Sequence, residues 1–287
     1  MWRWRIDTCW PRPIGDGLMD QHWVTEVLAP RTRADLTGIV DTDGVLAGGT
    51  SLMSEPNPGM TRLIDLAALD WPDLVVRDDG LEIAATCTID TLIHADLPRT
   101  WIATTLFDAA ARALLASYKI WYSATVGGNV CLALPAGAMT AMCAALDARL
   151  LIWRADGTNA LLTTTDVVVG NAENSLGVGD VLRSIHLPTG ALTQRVSLRK
   201  ASYAHLGRSG AVVVARSDGE SVVVTVTAAT VAPEVITVAS TDPEQVARDV
   251  LRSIPPEHFH TDAHGTARWR IAVVEYLVVQ AVRDVIA

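Results

Sequence analysis

Two short stretches carry the residue types that hold a phosphate without a lysine or a metal. Val45–Met53 reads VLAGGTSLM, and Ser123–Met139 reads SATVGGNVCLALPAGAM. Each is an apolar run, then Gly-Gly, then a small polar residue. Glycine lets main-chain N–H groups approach a ligand that a Cβ would hold off, and successive inward N–H groups form a concave anion site. Thr50, Ser51 and Thr125 add hydroxyls, and Asn129 adds a carboxamide. Converging on one diphosphate, two such loops would satisfy both phosphates and leave the rest of a dinucleotide extended. A single Gly-Gly pair is ordinarily just a turn; the recurrence with like flanks favours the ligand reading. Neither pair fits GxGxxG, and no P-loop lysine motif is present, so the usual phosphate cradles are absent.

Other reactive residue types are sparser. Cys9, Cys87, Cys131 and Cys143 form no CxxC pair, which supplies no zinc or iron–sulfur site and reads as buried thiols in a reducing cytoplasm. The tract PPEHFHTDAHG gathers His258, His260 and His264, with Glu257 and Asp262 as possible oxygen donors. Its spacing matches no recognised ligand set, so a loop is preferred to a metal tract. Tyr203, His205 and Arg208 have the types of an acid/base cluster, but a surface loop or subunit contact is the simpler reading. Glu234 and Asp242 read as part of a solvated face. No nucleophile elbow, Ser-His-Asp order or paired-carboxylate motif occurs.

These residues need a scaffold, and the chain is long enough to build one. Its 287 residues allow two or three modest domains, and about half are apolar (49%), so a folded globular class is expected. A net charge of −9 argues against a nucleic-acid footprint. The start, MWRWRIDTCWPRPIGDG, lacks the apolar core of a secretory leader. The apolar stretch Val130–Trp153 is broken by Pro135, Gly137, Asp147 and Arg149, so a buried helix is expected and no integral membrane segment. Residues 1–28 read as a tryptophan-rich arm that docks on the fold or on another subunit.

Beyond the arm, RADLTGIVDTDGVLAGGTSL predicts a brief helix, a turn and a strand that ends at the first Gly-Gly. GLEIAATCTIDTLI predicts a half-exposed strand with a helix opening near Thr88, and TWIATTLFDAAARALLA is helical by its apolar spacing. AGAMTAMCAALDARLLIW predicts a helix running into a strand, and GVGDVLRSIHLP a strand that stops before Pro188. From Gln194 the texture becomes Val/Thr-rich strand with a hairpin turn at Asp218-Gly219, closed by two helices, the first with Asp242 and Pro243 as start signals. Helices and strands do not alternate regularly, which disfavours a Rossmann or barrel design and gives an α+β class.

LAGGTSLM (Leu46–Met53) and ATVGGNVCLALP (Ala124–Pro135) resemble the paired FAD diphosphate loops in the flavin subunit of molybdenum hydroxylases, the carbon monoxide dehydrogenase and xanthine dehydrogenase type. GVGDVLRSIHLP, SLRKASYAHLGRSGAVVVA and DAHGTARWRIAVVEYLVVQAVR are similar to later parts of that family. The resemblance spans most of the chain beyond residue 28. It implies a vanillyl-alcohol-oxidase-type fold: an FAD-binding domain of two α+β subdomains over 29–190, and a C-terminal sheet-and-helix domain over 191–287. On the matched positions, Ala47, Gly48, Gly49, Thr50, Ser51 and Leu52 line the first loop. Ala124, Thr125, Val126, Gly127, Gly128 and Asn129 line the second. Val181 and Leu182 pack against the flavin ring, and Lys200 reaches it from the C-terminal domain, favouring the anionic reduced form.

The resemblance further implies a medium subunit, an oxidoreductase component that holds FAD and transfers electrons. Its partners are a large molybdopterin-binding subunit, where the substrate is hydroxylated, and a small subunit with 2Fe-2S clusters. The chain departs from the family pattern at Trp121 and Tyr122, where arginine and asparagine are usual, and at Ala138, usually acidic. Losing one hydrogen bond costs about 1–3 kcal/mol of binding, so a docking subunit that has lost or weakened FAD binding is the alternative. A free-standing flavin oxidase lacks a candidate for its catalytic residues.

Overall fold

The computed structural model describes residues 21–113, 116–204 and 207–287; most of the expected arm, with Trp2, Trp4, Trp10 and Cys9, lies outside them. Strands β1 (Glu26–Leu28), β2 (Asp43–Leu46) and β3 (Arg62–Asp65) form a parallel sheet with β3 in the middle. Parallel strands end at one common edge, which gathers the loops that follow them. The first Gly-Gly segment is the loop after β2. Strand β1 lies within the stretch assigned to the arm: Glu26–Leu28 pairs in register with Arg62–Ile64 and belongs to the sheet.

The larger sheet is antiparallel. Hairpin β4 (Leu74–Arg77) and β5 (Gly80–Ala84) leads into helices α1 (Ile89–Ile93), α2 (Thr105–Ala113), α3 (Tyr118–Trp121), α4 (Val126–Leu132) and α5 (Ala138–Ala145). Hairpin β6 (Arg149–Trp153) and β7 (Asn159–Thr163) follows, then the one-turn α6 (Thr164–Val167), the ribbon β8 (Val168–Gly170) and β9 (Glu173–Asn174), and β10 (Val181–Pro188). The strand order is β4-β5-β10-β6-β7. Thr88 caps α1 by accepting from Thr91 N, as the sequence signalled. Strand β5 alternates as expected: Leu81 and Ile83 are fully buried beneath the helices, and Glu82 between them is part-exposed.

Strand β10 sits centrally and divides the interior. Leu182, Ile185 and Leu187 join the helix-covered core, whereas Val181 turns to the other side and packs with Leu36, Ile64 and Leu66 beneath the parallel sheet. After α7 (Thr189–Leu192), strands β11 (Arg195–Ala201), β12 (Ala211–Ser217), β13 (Val222–Thr227) and β14 (Glu234–Val238) form an antiparallel meander. The predicted turn joins β12 and β13: Gly219 has φ 100° and the Asp218 carboxylate accepts from Glu220 N and Ser221 N. Helix α8 (Pro243–Ser253) starts where expected, with Asp242 accepting from Gln245 N at 2.6 Å, and α9 (Ala267–Ile286) lies across β11 and β12. Buried Arg216 joins this sheet to the rest, donating to Ala145 O, Gln194 Oε1 and Asp147 Oδ2. Among the described residues no helix is long and apolar enough to cross a membrane.

One ion pair fixes the parallel sheet and sets an acid limit. Asp43, buried on β2, accepts from Arg62 Nε at 2.9 Å and Nη2 at 2.5 Å across directly paired positions. That hydrogen bond holds the carboxyl below its usual range, with burial opposing. A carboxyl whose pKa is lower in the folded chain stabilises fully above the unfolded value, about 4, and loses that contribution as pH falls through the folded one. Asp43→Asn is therefore expected to lower Tm at neutral pH and to close the gap to the parent chain progressively as pH falls below about 4. Thermal melts across that range check this; a gap that stays constant with pH counts against it.

Candidate functional site

The first loop leaves β2 through Ala47 and turns at Gly49, whose φ of 71° is left-handed. Two of its carbonyls face inward: Gly49 O accepts from Met53 N, and Ser51 O accepts from Ser54 N and Ser54 Oγ. The N–H groups of Gly48, Gly49, Thr50, Ser51 and Leu52 have no acceptor among the described residues. Five successive unspent donors around a left-handed glycine are the makings of an anion nest. Downstream, Gln21 braces the loop by donating to Leu52 O and Glu55 O and accepting from Asn57 N.

The second segment adjoins the first through main chain. A Cβ on Gly48 would lie 1.8 Å from Ser123 O and 3.2 Å from Thr125 Cγ2, so only glycine permits this approach. From Val126 the chain is helix rather than open loop. Thr125 is the N-cap, its hydroxyl accepting from Gly128 N at 3.1 Å. Val126 N donates to Cys87 O, Gly127 N to Ala85 O and Asn129 N to Thr125 O, so these amides are spent within the fold. Gly127 serves close packing, since a Cβ there would lie 2.5 Å from the Ala85 Cβ. Asn129 Oδ1 accepts from Met139 N at 2.9 Å and holds the first turn of α5. Ala124 is buried beside this cap.

Asn129 also lines a cleft of about 210 Å³, with Ala113, Leu134, Ala136, Gly137, Arg208 and Ser209. Lys200, on β11, reaches the same end of α2, its Nζ donating to Arg112 O at 3.2 Å. Leu182 shares the helix-covered core with Ala124, Val126 and Val130. Val181 does not join them: it borders a separate cleft of about 280 Å³ beside Arg33 and Trp153. The structure thus brings the two Gly-Gly segments together and places Lys200 near the Asn129 cleft, with Val181 on the opposite face of β10. At the positions of departure, Ala138 is buried, Tyr122 is exposed, and the Trp121 Nε1 is buried with no acceptor among the described residues.

The remaining reactive residues have other duties. The histidine tract closes over Arg270, which is 1% exposed: His260 Nε2 accepts from Nη1 and Asp262 Oδ1 from Nη2, while His258 pairs with Glu234. Burial, then the Arg270 charge, lowers the His260 pKa and keeps the ring neutral. Among the described residues no group of three His, Cys, Asp or Glu could hold a metal. Tyr203 packs on Trp269 at 4.4 Å; His205 lies outside the described residues. Burial pushes the Cys87 and Cys143 thiols up to about 12, which makes them inert at neutral pH. Sequence reasoning passed over Gln21, which braces the first loop, and read Arg208, which lines the Asn129 cleft, as part of a surface loop or subunit contact.

Residues 24–190 match the family described as the FAD binding domain in molybdopterin dehydrogenase. Among solved structures the chain is similar to the Cu,Mo-CO dehydrogenase in its cyanide-inactivated form, with TM-score 0.77 and 19% identity over 91% of this chain and 96% of that one. It is similar to reconstituted CO dehydrogenase from Oligotropha carboxidovorans (TM-score 0.73, 19% identity, 91% and 97% covered). Quinoline 2-oxidoreductase from Pseudomonas putida 86 is also similar (TM-score 0.72, 15% identity, 92% and 98% covered). At these identities the likeness is one of fold. None of the curated proteins is significantly similar in sequence.

Proposed function

Since this chain belongs to the family of FAD-binding domains of molybdopterin dehydrogenases, we propose that it is the electron-transferring flavin subunit of a molybdenum hydroxylase-type complex. The observation that carries this is the run of five unspent N–H groups from Gly48 to Leu52, bounded on one side by the Ser123 main chain. Residues 47–52 take the diphosphate, with the Thr50 and Ser51 hydroxyls beside those amides. The second segment contributes less donation and more shape: its spent amides fix Thr125 and the Asn129 carboxamide as one wall. Lys200 supplies a cation toward the ring. Bound FAD supplies a ring that accepts electrons and hands them on. In this reading they arrive from 2Fe-2S clusters on a small partner subunit and leave to an external acceptor, while a large molybdopterin-binding partner hydroxylates the substrate. The assembly is a hetero-oligomer. The division into an arm, a cofactor-binding unit to about residue 190 and a C-terminal unit from 191 belongs to the same reading.

The test is direct. The full chain, purified alone and with its co-purified partners, is expected to be yellow and to release about one equivalent of FAD on acid treatment, as one diphosphate nest requires. Fully metallated complex with no flavin in any preparation would overturn the reading. It would favour a docking subunit, for which buried Ala138 and the spent amides of the second segment speak.

A further inference from the structure

The cleft beside Asn129 holds a positive charge that no carboxylate among the described residues pairs with. Two of its polar residues are already engaged: Ser209 Oγ donates to Ala113 O at 3.3 Å, and Asn129 Oδ1 accepts from Met139 N. Arg208 has neither a carboxylate nor any other hydrogen-bond partner among the described residues. Its charged neighbour has the same sign, for the Arg208 charge depresses the pKa of buried Arg270. A half-buried guanidinium lining an apolar cleft, within reach of the Arg270 charge, has no anion among the described residues to make its position favourable.

The backbone that presents Arg208 is held firmly. Gly210 N donates to Ala201 O at 2.8 Å, and a Cβ on Gly210 would lie 2.6 Å from His264 O and 2.7 Å from the Trp269 ring. Ser209 ties the same segment to the end of α2, where Lys200 also arrives. The charge is therefore aimed at this cleft by packing on both sides, next to the residues that follow the second Gly-Gly.

We propose that Arg208 is a cofactor-contacting residue whose guanidinium meets the pyrimidine edge of the flavin and offsets the negative charge gained on reduction. The inference rests on the FAD reading above and goes beyond it. Two electrons and one proton entering the oxidised ring leave one net negative charge, delocalised over N1 and the C2 carbonyl. Parallel N–H donors on a planar cation suit that edge. Arg208 thus shares with Lys200 the work of stabilising the reduced cofactor.

Sulfite tests this without any partner subunit or turnover. The sulfite lone pair forms an S–N5 bond to the oxidised ring, nothing leaves, and the same negative charge appears at N1. The full chain loaded with FAD is titrated with sulfite while the flavin band bleaches, for the parent, Arg208→Met and Arg208→Lys. Arg208→Met is expected to raise the sulfite dissociation constant roughly tenfold, equivalent to a drop of about 30 mV for a two-electron couple. Arg208→Lys recovers part of it, and Tm stays unchanged in both. A Met variant with the parental sulfite constant overturns the role of Arg208 while the FAD reading stands. A parent chain that takes up no FAD, either alone or with its co-purified partners, overturns both.

Discussion

Gly48→Ala is expected to strip the chain of FAD and to lower its Tm. The added methyl would lie 1.8 Å from Ser123 O and 2.8 Å from Ser123 C, both main-chain atoms that cannot rotate away. Either the first loop retreats from the second segment or the Ser123 carbonyl is driven out of place. Overpacking of this kind costs about 1–3 kcal/mol, which for a chain of this size is roughly a 2–10 °C fall in Tm. Loss of flavin should exceed what that stability change explains, since the five free amides of residues 48–52 are aligned by the same contact. Gly190→Ala is the control: it lies in α7 with no atom within 4 Å of the added methyl. Acid-released FAD and thermal melts of both variants decide the matter. A Gly48→Ala protein with full FAD content removes the first loop from the site.

Arg270→Met should be the most destabilising single change outside the loops. The side chain lies wholly inside the C-terminal region, donating to Gly265 O, Ala228 O, His260 and Asp262. Methionine fills much of the volume but leaves Ala228 O without a donor and the Asp262 carboxylate without its cation, while Asp262 N still donates to Gly265 O and His264 N to Asp262 Oδ1. Removing one member of a fully buried ion pair costs about 3–5 kcal/mol; Asp262 is 35% exposed, so solvent screening reduces the loss here to a part of that, against a total stability of about 5–15 kcal/mol. Lysine is expected to rescue little, because one ammonium cannot reach the positions that the guanidinium fork spans.

The same variant should change the pH response. The folded state holds His260 neutral, with its pKa below the usual value through burial and the Arg270 charge. That contribution is full above the unfolded imidazole value of about 6.5 and is lost as pH falls below it. Without Arg270 the repulsion goes and the decline near pH 6 becomes shallower. Chemical denaturation at several pH values measures both effects. A loss of less than about 1 kcal/mol at neutral pH would show that water replaces the guanidinium.

Local elements were largely legible because their signals are local. Thr88 and Asp242 cap α1 and α8, Asp218-Gly219 makes the hairpin turn, and the Ala/Leu spacing of 105–113 makes α2. The second Gly-Gly was harder. Two glycines cost a helix about 2 kcal/mol relative to alanines, so TVGGN reads as an open loop despite its capping threonine. Long-range packing of Gly127 on Ala85 offsets that cost and makes the segment the first turn of α4.

The site divides in the same way. Its residue types, two glycine pairs with hydroxyls and an amide, stand in the sequence, and so does the resemblance that names their cofactor. Their juxtaposition does not: Gly48 and Ser123 meet only because two sheets dock. The standing of each arginine is likewise a tertiary matter. Arg199 finds Asp284, Arg216 finds Asp147, and Arg270 finds Asp262 across turns and between elements far apart in the chain, while Arg208 finds no such partner among the described residues. Composition and spacing determine which groups a chain carries and the helices and strands they ride on, because those depend on neighbours a few residues away. Which amides stay unspent, and which charge stays uncompensated, depends on atoms brought together from distant parts of the chain, and only the folded structure decides that.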